Sequence, residues 1–89
     1  MDRLKKHYQA VADLCCIVCR NEGIFTEAQI HHPWGRKNGN EMKVIPLCPT
    51  HHQSGLKNPQ FVSVHPWKRA FEARYGTEEE LFRQVEGLL

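Results

Sequence analysis

The chain has no long apolar run, no apolar leader and almost no charge imbalance, and each lack removes a class of protein. Nothing in it approaches the ~20 consecutive apolar residues that span a bilayer, so a membrane helix is excluded. The opening Met1-Asp2-Arg3-Leu4-Lys5-Lys6 has none of the apolar core of a secretory signal, and the expectation is a protein of a reducing, cytoplasmic compartment. A net charge of +2 does not announce a nucleic-acid binder by itself. The chain is also short. Eighty-nine residues are read as one domain over 1–89, and a domain of that size buries only roughly 60–65% of its unfolded surface, which leaves its core marginal without a staple.

What the chain does have is ligand chemistry: four cysteines and six histidines. Without an export signal, four cysteines point to metal ligation before disulfides. A tetrahedral zinc takes four soft or borderline donors, usually as two short-spaced pairs that each wrap one side of the ion. Cys16-Ile17-Val18-Cys19 is one such pair and Cys48-Pro49-Thr50-His51 the other. The register Cys15 with Cys19 is the alternative to Cys16 with Cys19. A redox role for Cys16 and Cys19 would need no distant partner pair, and here a partner pair exists. His31, His32 and His52 are left over, and they read as a second metal site that does the chemistry.

The hydrophobic periods place these residues on elements. Leu4, Tyr8, Val11, Ala12 and Leu14 recur at helical spacing, giving a packing helix over Arg3 to Leu14. A short strand is expected over Ala28 to His32, ended by Pro33. Adjacent strand residues face opposite ways, so His31 and His32 need not share a task. Trp34 to Asn40 reads as a loop whose Arg36 and Lys37 are either solvated or a phosphate clamp. Met42 to Leu47 reads as the second strand of a hairpin, and Pro49 suits the first turn of a short helix running to about Ser54. On that helix His51 and His52 lie about 100° apart, so one can close the zinc site while the other points toward His31 and His32. Gln60 to Val64 reads as a third short strand ending at His65, either a surface histidine or a ligand. Pro66 to Gly76 reads as a helix with Lys68, Arg69 and Arg74 as a basic stripe. Thr77-Glu78-Glu79-Glu80 is a capping box opening a last helix. Trp67, Phe71, Phe82 and the leucines are the expected core. The fold class is therefore α+β, with an N-terminal helix over 1–14, a metal-stapled centre over 15–65 and C-terminal helices over 66–89.

The order strand, His-His, loop, strand, Leu47-Cys48-Pro49-Thr50-His51-His52, helix resembles the HNH endonuclease superfamily, with its ββα-metal unit and a treble-clef-like zinc-knuckled branch. The segments Ile30-His31-His32-Pro33, Gly35-Arg36-Lys37, Ile45 to Gln53, Ser63-Val64-His65-Pro66 and Phe71 to Leu81 are similar to the RecA-dependent recombination-enhancement nucleases of phages and prophages. The resemblance implies a metal-dependent endonuclease or nickase acting on DNA in a bacterial host cell, with a recombinase filament on single-stranded DNA as a further partner. It implies His31, His52 and His65 as ligands of a catalytic Mg²⁺ or Mn²⁺ and His32 as general base; on such an enzyme the loop cation Arg36 would be a further catalytic group, and Arg36, Lys37, Lys68 and Arg69 would lie along the DNA backbone. It leaves Cys16, Cys19, Cys48 and His51 to a structural zinc. The chain departs from the superfamily pattern in two places. Lys43 stands where many HNH enzymes carry asparagine, and Leu56 denies His52 a helical partner four residues on. A reading from a different class also stands: a zinc module without catalysis that binds nucleic acid or protein.

Overall fold

The computed structural model describes residues 2–89. Five helices, α1 (Arg3–Ala12), α2 (Ile17–Asn21), α3 (Pro49–His52), α4 (Val64–Tyr75) and α5 (Glu78–Leu88), surround a hairpin of β1 (Gln29–His31) and β2 (Ile45–Leu47), an α+β arrangement. The two strands pair antiparallel as Gln29–Leu47, Ile30–Pro46 and His31–Ile45. A two-stranded sheet leaves one edge of each strand free, which is where a proline such as Pro46 is tolerated.

The elements start where local chemistry favours them. Asp2 caps α1 by accepting from the Lys5 amide at 2.9 Å. Thr77 and Glu80 form a reciprocal capping box at α5, with bonds of 3.0 and 2.9 Å. That bond to Thr77 holds the exposed Glu80 carboxyl below the usual carboxylate range. One core joins them: Val11 of α1, Ile17 and Val18 of α2, Val44, Ile45 and Leu47 around β2, Phe71 of α4, and Leu81 and Val85 of α5. Three of the four cysteines are buried in this core.

Several expectations are corrected. α1 stops at Ala12, because the chain then reverses through Cys15 at φ 68° to deliver Cys16 inward. β1 begins at Gln29 and α3 ends at His52, both shorter than expected. Gln60 to Val64 is not a strand. It makes a single bridge, Lys57–Val62, and is otherwise held by side chains: Asn58 accepts from the Gln60 and Phe61 amides at 2.9 and 2.8 Å. Arg74 donates to the carbonyls of Asn58, Pro59 and Gln60, so it fastens this loop and leaves the basic stripe. Trp67 is 40% exposed, donating to the Gly55 carbonyl and lying under the Lys57 ammonium, and Leu88 and Leu89 also face solvent. The start of α4 is irregular, with non-helical backbone at His65 and Trp67.

Candidate functional site

Short elements carry four donors to one point. Cys16 caps α2, so its Sγ accepts from the Cys19 amide at 3.5 Å and both sulfurs face the same side. Cys48 occupies the matching cap of α3, with Pro49 at the first helical position, where its missing N–H costs nothing. The Cys48 carbonyl accepts from the His51 amide at 3.1 Å, and this turn brings the His51 ring under the Cys48 sulfur. Cys16, Cys19, Cys48 and His51 are all buried, and their donor atoms lie within 4.8 Å of one another. A zinc tetrahedron with bonds of about 2.3 Å to sulfur and 2.0–2.1 Å to nitrogen has edges of about 3.8 Å between sulfurs and about 3.5 Å between sulfur and nitrogen. The structure gives 3.8 Å for Cys19–Cys48, and 3.7, 3.6 and 3.2 Å from His51 Nδ1 to Cys16, Cys19 and Cys48. The site could hold a metal such as zinc.

Electrostatics agree with that fit. Burial pushes the Cys16 thiol up to about 12 and the Cys19 thiol in the same direction. Burial likewise lowers His51, keeping the imidazole neutral and able to ligate. Three buried sulfurs facing one imidazole, without a cation, repel charge; a bound divalent ion reverses this by deprotonating its thiols outright. The Thr26 hydroxyl is buried without a hydrogen-bond partner, and its nearness to the Cys19 sulfur offsets part of the burial that raises that thiol. Cys15 is outside the group, its sulfur toward the Asp13 carbonyl at 3.9 Å.

A second group sits on the other side of α3. His31 at the end of β1, His52 at the end of α3 and His65 at the irregular start of α4 bring a donor atom each within 4.8 Å of the others. Their ring centroids are 5.0, 5.0 and 5.5 Å apart. His31 is buried, His52 half-buried and His65 exposed, so the group opens to solvent on one side. Burial and the three neighbouring imidazoles lower His52 to about 4, which keeps it an unprotonated donor at neutral pH.

Two partners of this group were not legible in the sequence. Glu78, the first residue of α5, places Oε2 2.5 Å from His31 Nε2, with both side chains buried. Its Oε1 lies 3.4 Å from Lys68 Nζ. Burial alone would raise the Glu78 carboxyl; the bond and charge of His31, with the Lys68 ammonium, outweigh it and hold it below the usual range. A carboxylate on the second nitrogen of a ligating imidazole fixes its tautomer and raises its basicity. Gln29 is placed correspondingly beside His52, with Oε1 2.8 Å from Nδ1. Glu78 was visible only as part of a capping box and Gln29 only as a strand residue.

His32 stands apart from the three-imidazole group. Its Nε2 is 2.9 Å from the Tyr8 hydroxyl of α1. Burial, then the Arg36 and His31 charges, lower its pKa. Arg36 and Lys37 are exposed in the adjoining loop, as are Lys68 and Arg69 on α4. Lys43 is exposed just ahead of β2.

Among the described residues, no helix is long and apolar enough to cross a membrane. No curated protein matches the chain. The family model described as recombination enhancement, RecA-dependent nuclease, matches residues 3–89, which takes in both donor groups and every helix of the fold. By that match the chain belongs to the RecA-dependent recombination-enhancement nucleases.

Proposed function

We propose that the chain is a metal-dependent HNH-type DNA endonuclease or nickase, phage- or prophage-borne, whose ββα-metal unit is β1, β2 and α3. One observation carries this reading: consecutive residues of one short helix serve two donor groups of opposite character. His51 belongs to a buried Cys₃His group with no open position, and His52 to an all-imidazole group with an exposed member. The first suits a structural zinc and the second a catalytic divalent ion.

In this reading His31, His52 and His65 hold Mg²⁺ or Mn²⁺ as neutral ligands that do not cancel its charge. When held there, such an ion would supply Lewis-acid stabilisation of the charge that develops on the phosphodiester. His32 takes the proton of the attacking water, and its lowered pKa keeps it unprotonated at pH 7. Arg36, next to His32, and Lys37 bind the phosphodiester, while Lys68 and Arg69 follow the flanking backbone as sequence-independent contacts. Lys68 also shares Glu78 with His31, which links the DNA-facing side of α4 to the metal group.

The testing pair is metal content and a point variant. The purified protein should carry one tightly held zinc and bind one further, exchangeable Mn²⁺. His32→Ala should keep both and lose nicking of plasmid DNA, assayed with and without a RecA filament on single-stranded DNA. Undiminished cleavage by a rigorously purified His32→Ala protein rejects His32 as the base. One zinc with no second divalent site would leave the zinc module without catalysis as the reading.

A further inference from the structure

The sequence presents Tyr8 as one apolar member of the α1 stripe, yet its hydroxyl is spent on two polar partners. It lies 2.7 Å from the Glu41 carbonyl and 2.9 Å from His32 Nε2. A phenol has one proton. The carbonyl can only accept, so the proton goes to Glu41, and the Tyr8 oxygen must then accept from His32. That requires a proton on His32 Nε2. In a neutral imidazole the other nitrogen, Nδ1, then carries the lone pair. No hydrogen bond engages Nδ1 among the described residues.

Tyr8 is itself fixed from several directions. Next to it, His7 Nε2 lies 2.7 Å from the Met42 carbonyl, so neighbouring residues of α1 grip successive carbonyls of the same 3₁₀ turn, Asn40–Met42. Val11, one turn further on, is fully buried. The Tyr8 and His32 rings meet edge to face at a centroid distance of 5.5 Å and an angle of 86°. The hydroxyl therefore sits between the Glu41 carbonyl and His32, on a helix that His7 and Val11 anchor against the turn.

We propose that Tyr8 is a positioning residue for His32, holding it as the Nε2–H tautomer so that Nδ1 is the nitrogen available to take a proton. The inference rests on the nuclease reading for its consequence, although the tautomer is a property of the resting protein. In the proton transfer, the water O–H bond breaks and an Nδ1–H bond forms, while the oxygen's electron pair makes the new P–O bond. The P–O3′ bond breaks, its electron pair leaving on the 3′ oxygen, which takes a proton from solvent. The Nε2 proton stays in place, and its bond to Tyr8 becomes charge-assisted, and so stronger, as the imidazolium forms. Tyr8 keeps its own proton throughout.

The test uses the full zinc-loaded chain labelled with ¹⁵N in histidine. Long-range ¹H–¹⁵N correlations identify which ring nitrogen of each histidine carries hydrogen. Wild-type His32 should be the Nε2–H tautomer. Tyr8→Phe should fold with unchanged zinc content, show a mixture of His32 tautomers, and lose on the order of 10-fold or more in kcat for nicking with KM for DNA unchanged. A wild-type His32 protonated on Nδ1 overturns the proposal without any variant. So does a Tyr8→Phe protein with the wild-type tautomer and wild-type kcat. An Nε2–H His32 in a protein that never nicks DNA, with or without a RecA filament, supports the Tyr8 assignment and rejects the nuclease reading instead.

Discussion

Replacing Cys48 by serine removes one corner of the Cys₃His group and tests how much of the fold depends on it. A chain of 89 residues has an expected total stability of about 4–13 kcal/mol at 0.05–0.15 kcal/mol per residue. Structural zinc sites contribute about 10 kcal/mol or more at pH 7. The two figures are the same size, so losing the ion removes most or all of the margin. The position of the site makes the loss worse. Cys16, Cys19 and Cys48 are buried in the core, and His51 is buried with its ring 5.0 Å from Tyr75 and 5.7 Å from Phe61. Without the ion the buried thiols stay protonated and the group loses its coordinate bonds, while the buried His51 Nε2 has no hydrogen-bond partner to offset that loss. Cys48→Ser should show no cooperative thermal transition by circular dichroism, and a strong chelator should do the same to wild type. His52→Asn, one residue from His51 but outside the zinc group, should melt cooperatively with zinc retained. A Cys48→Ser protein without zinc that melts cooperatively near the wild-type temperature would refute the reasoning, because the hairpin and helices would then be shown to hold themselves.

Three other outcomes follow from the geometry. Glu78→Gln keeps the shape of the side chain but takes the charge from His31 and Lys68; divalent affinity of the second group should fall about 10–100-fold by calorimetry while zinc content stays constant. Folded His52 titrates near 4 against about 6.5 when unfolded, so the unfolded chain binds more protons between those values. Its contribution to stability is therefore complete above pH 6.5 and lost as pH falls through 4, and in divalent-free buffer wild type should lose stability over that window faster than His52→Asn; equal slopes contradict the shift. Thr77→Ala removes the hydroxyl half of the α5 capping box, leaving the backbone N–H of residue 77 bonded to Glu80, and should cost about 1 kcal/mol in denaturant titration, with the nicking rate affected only as far as Glu78 moves.

The legible parts of this protein are those whose signal is local. Cys16 and Cys19, like Cys48 and His51, sit within one turn of each other, so spacing alone exposes them as pairs that could share an ion. Thr77 and Glu80 declare the start of α5 for the same reason, and the apolar stripe of α1 shows its buried face. What escaped depends on partners far along the chain. Tyr8 meets His32 across 24 residues and Glu78 meets His31 across 47, and no periodicity encodes either meeting. The segment before His65 has a strand's apolar content, yet it makes a single bridge, and Asn58 and Arg74 hold it as a loop. Trp67 has the type of a core residue, but the break in α4 at His65 turns it onto the surface beside Lys57. That same irregularity brings His65 up to His31 and His52.

The measurement that tests the account most directly is a crystal structure of the protein grown with zinc and Mn²⁺, with anomalous scattering recorded at both absorption edges. The account predicts a zinc peak inside Cys16, Cys19, Cys48 and His51 and a separate manganese peak among His31, His52 and His65. A zinc peak alone, with the three imidazoles turned apart and no cation between them, would contradict it.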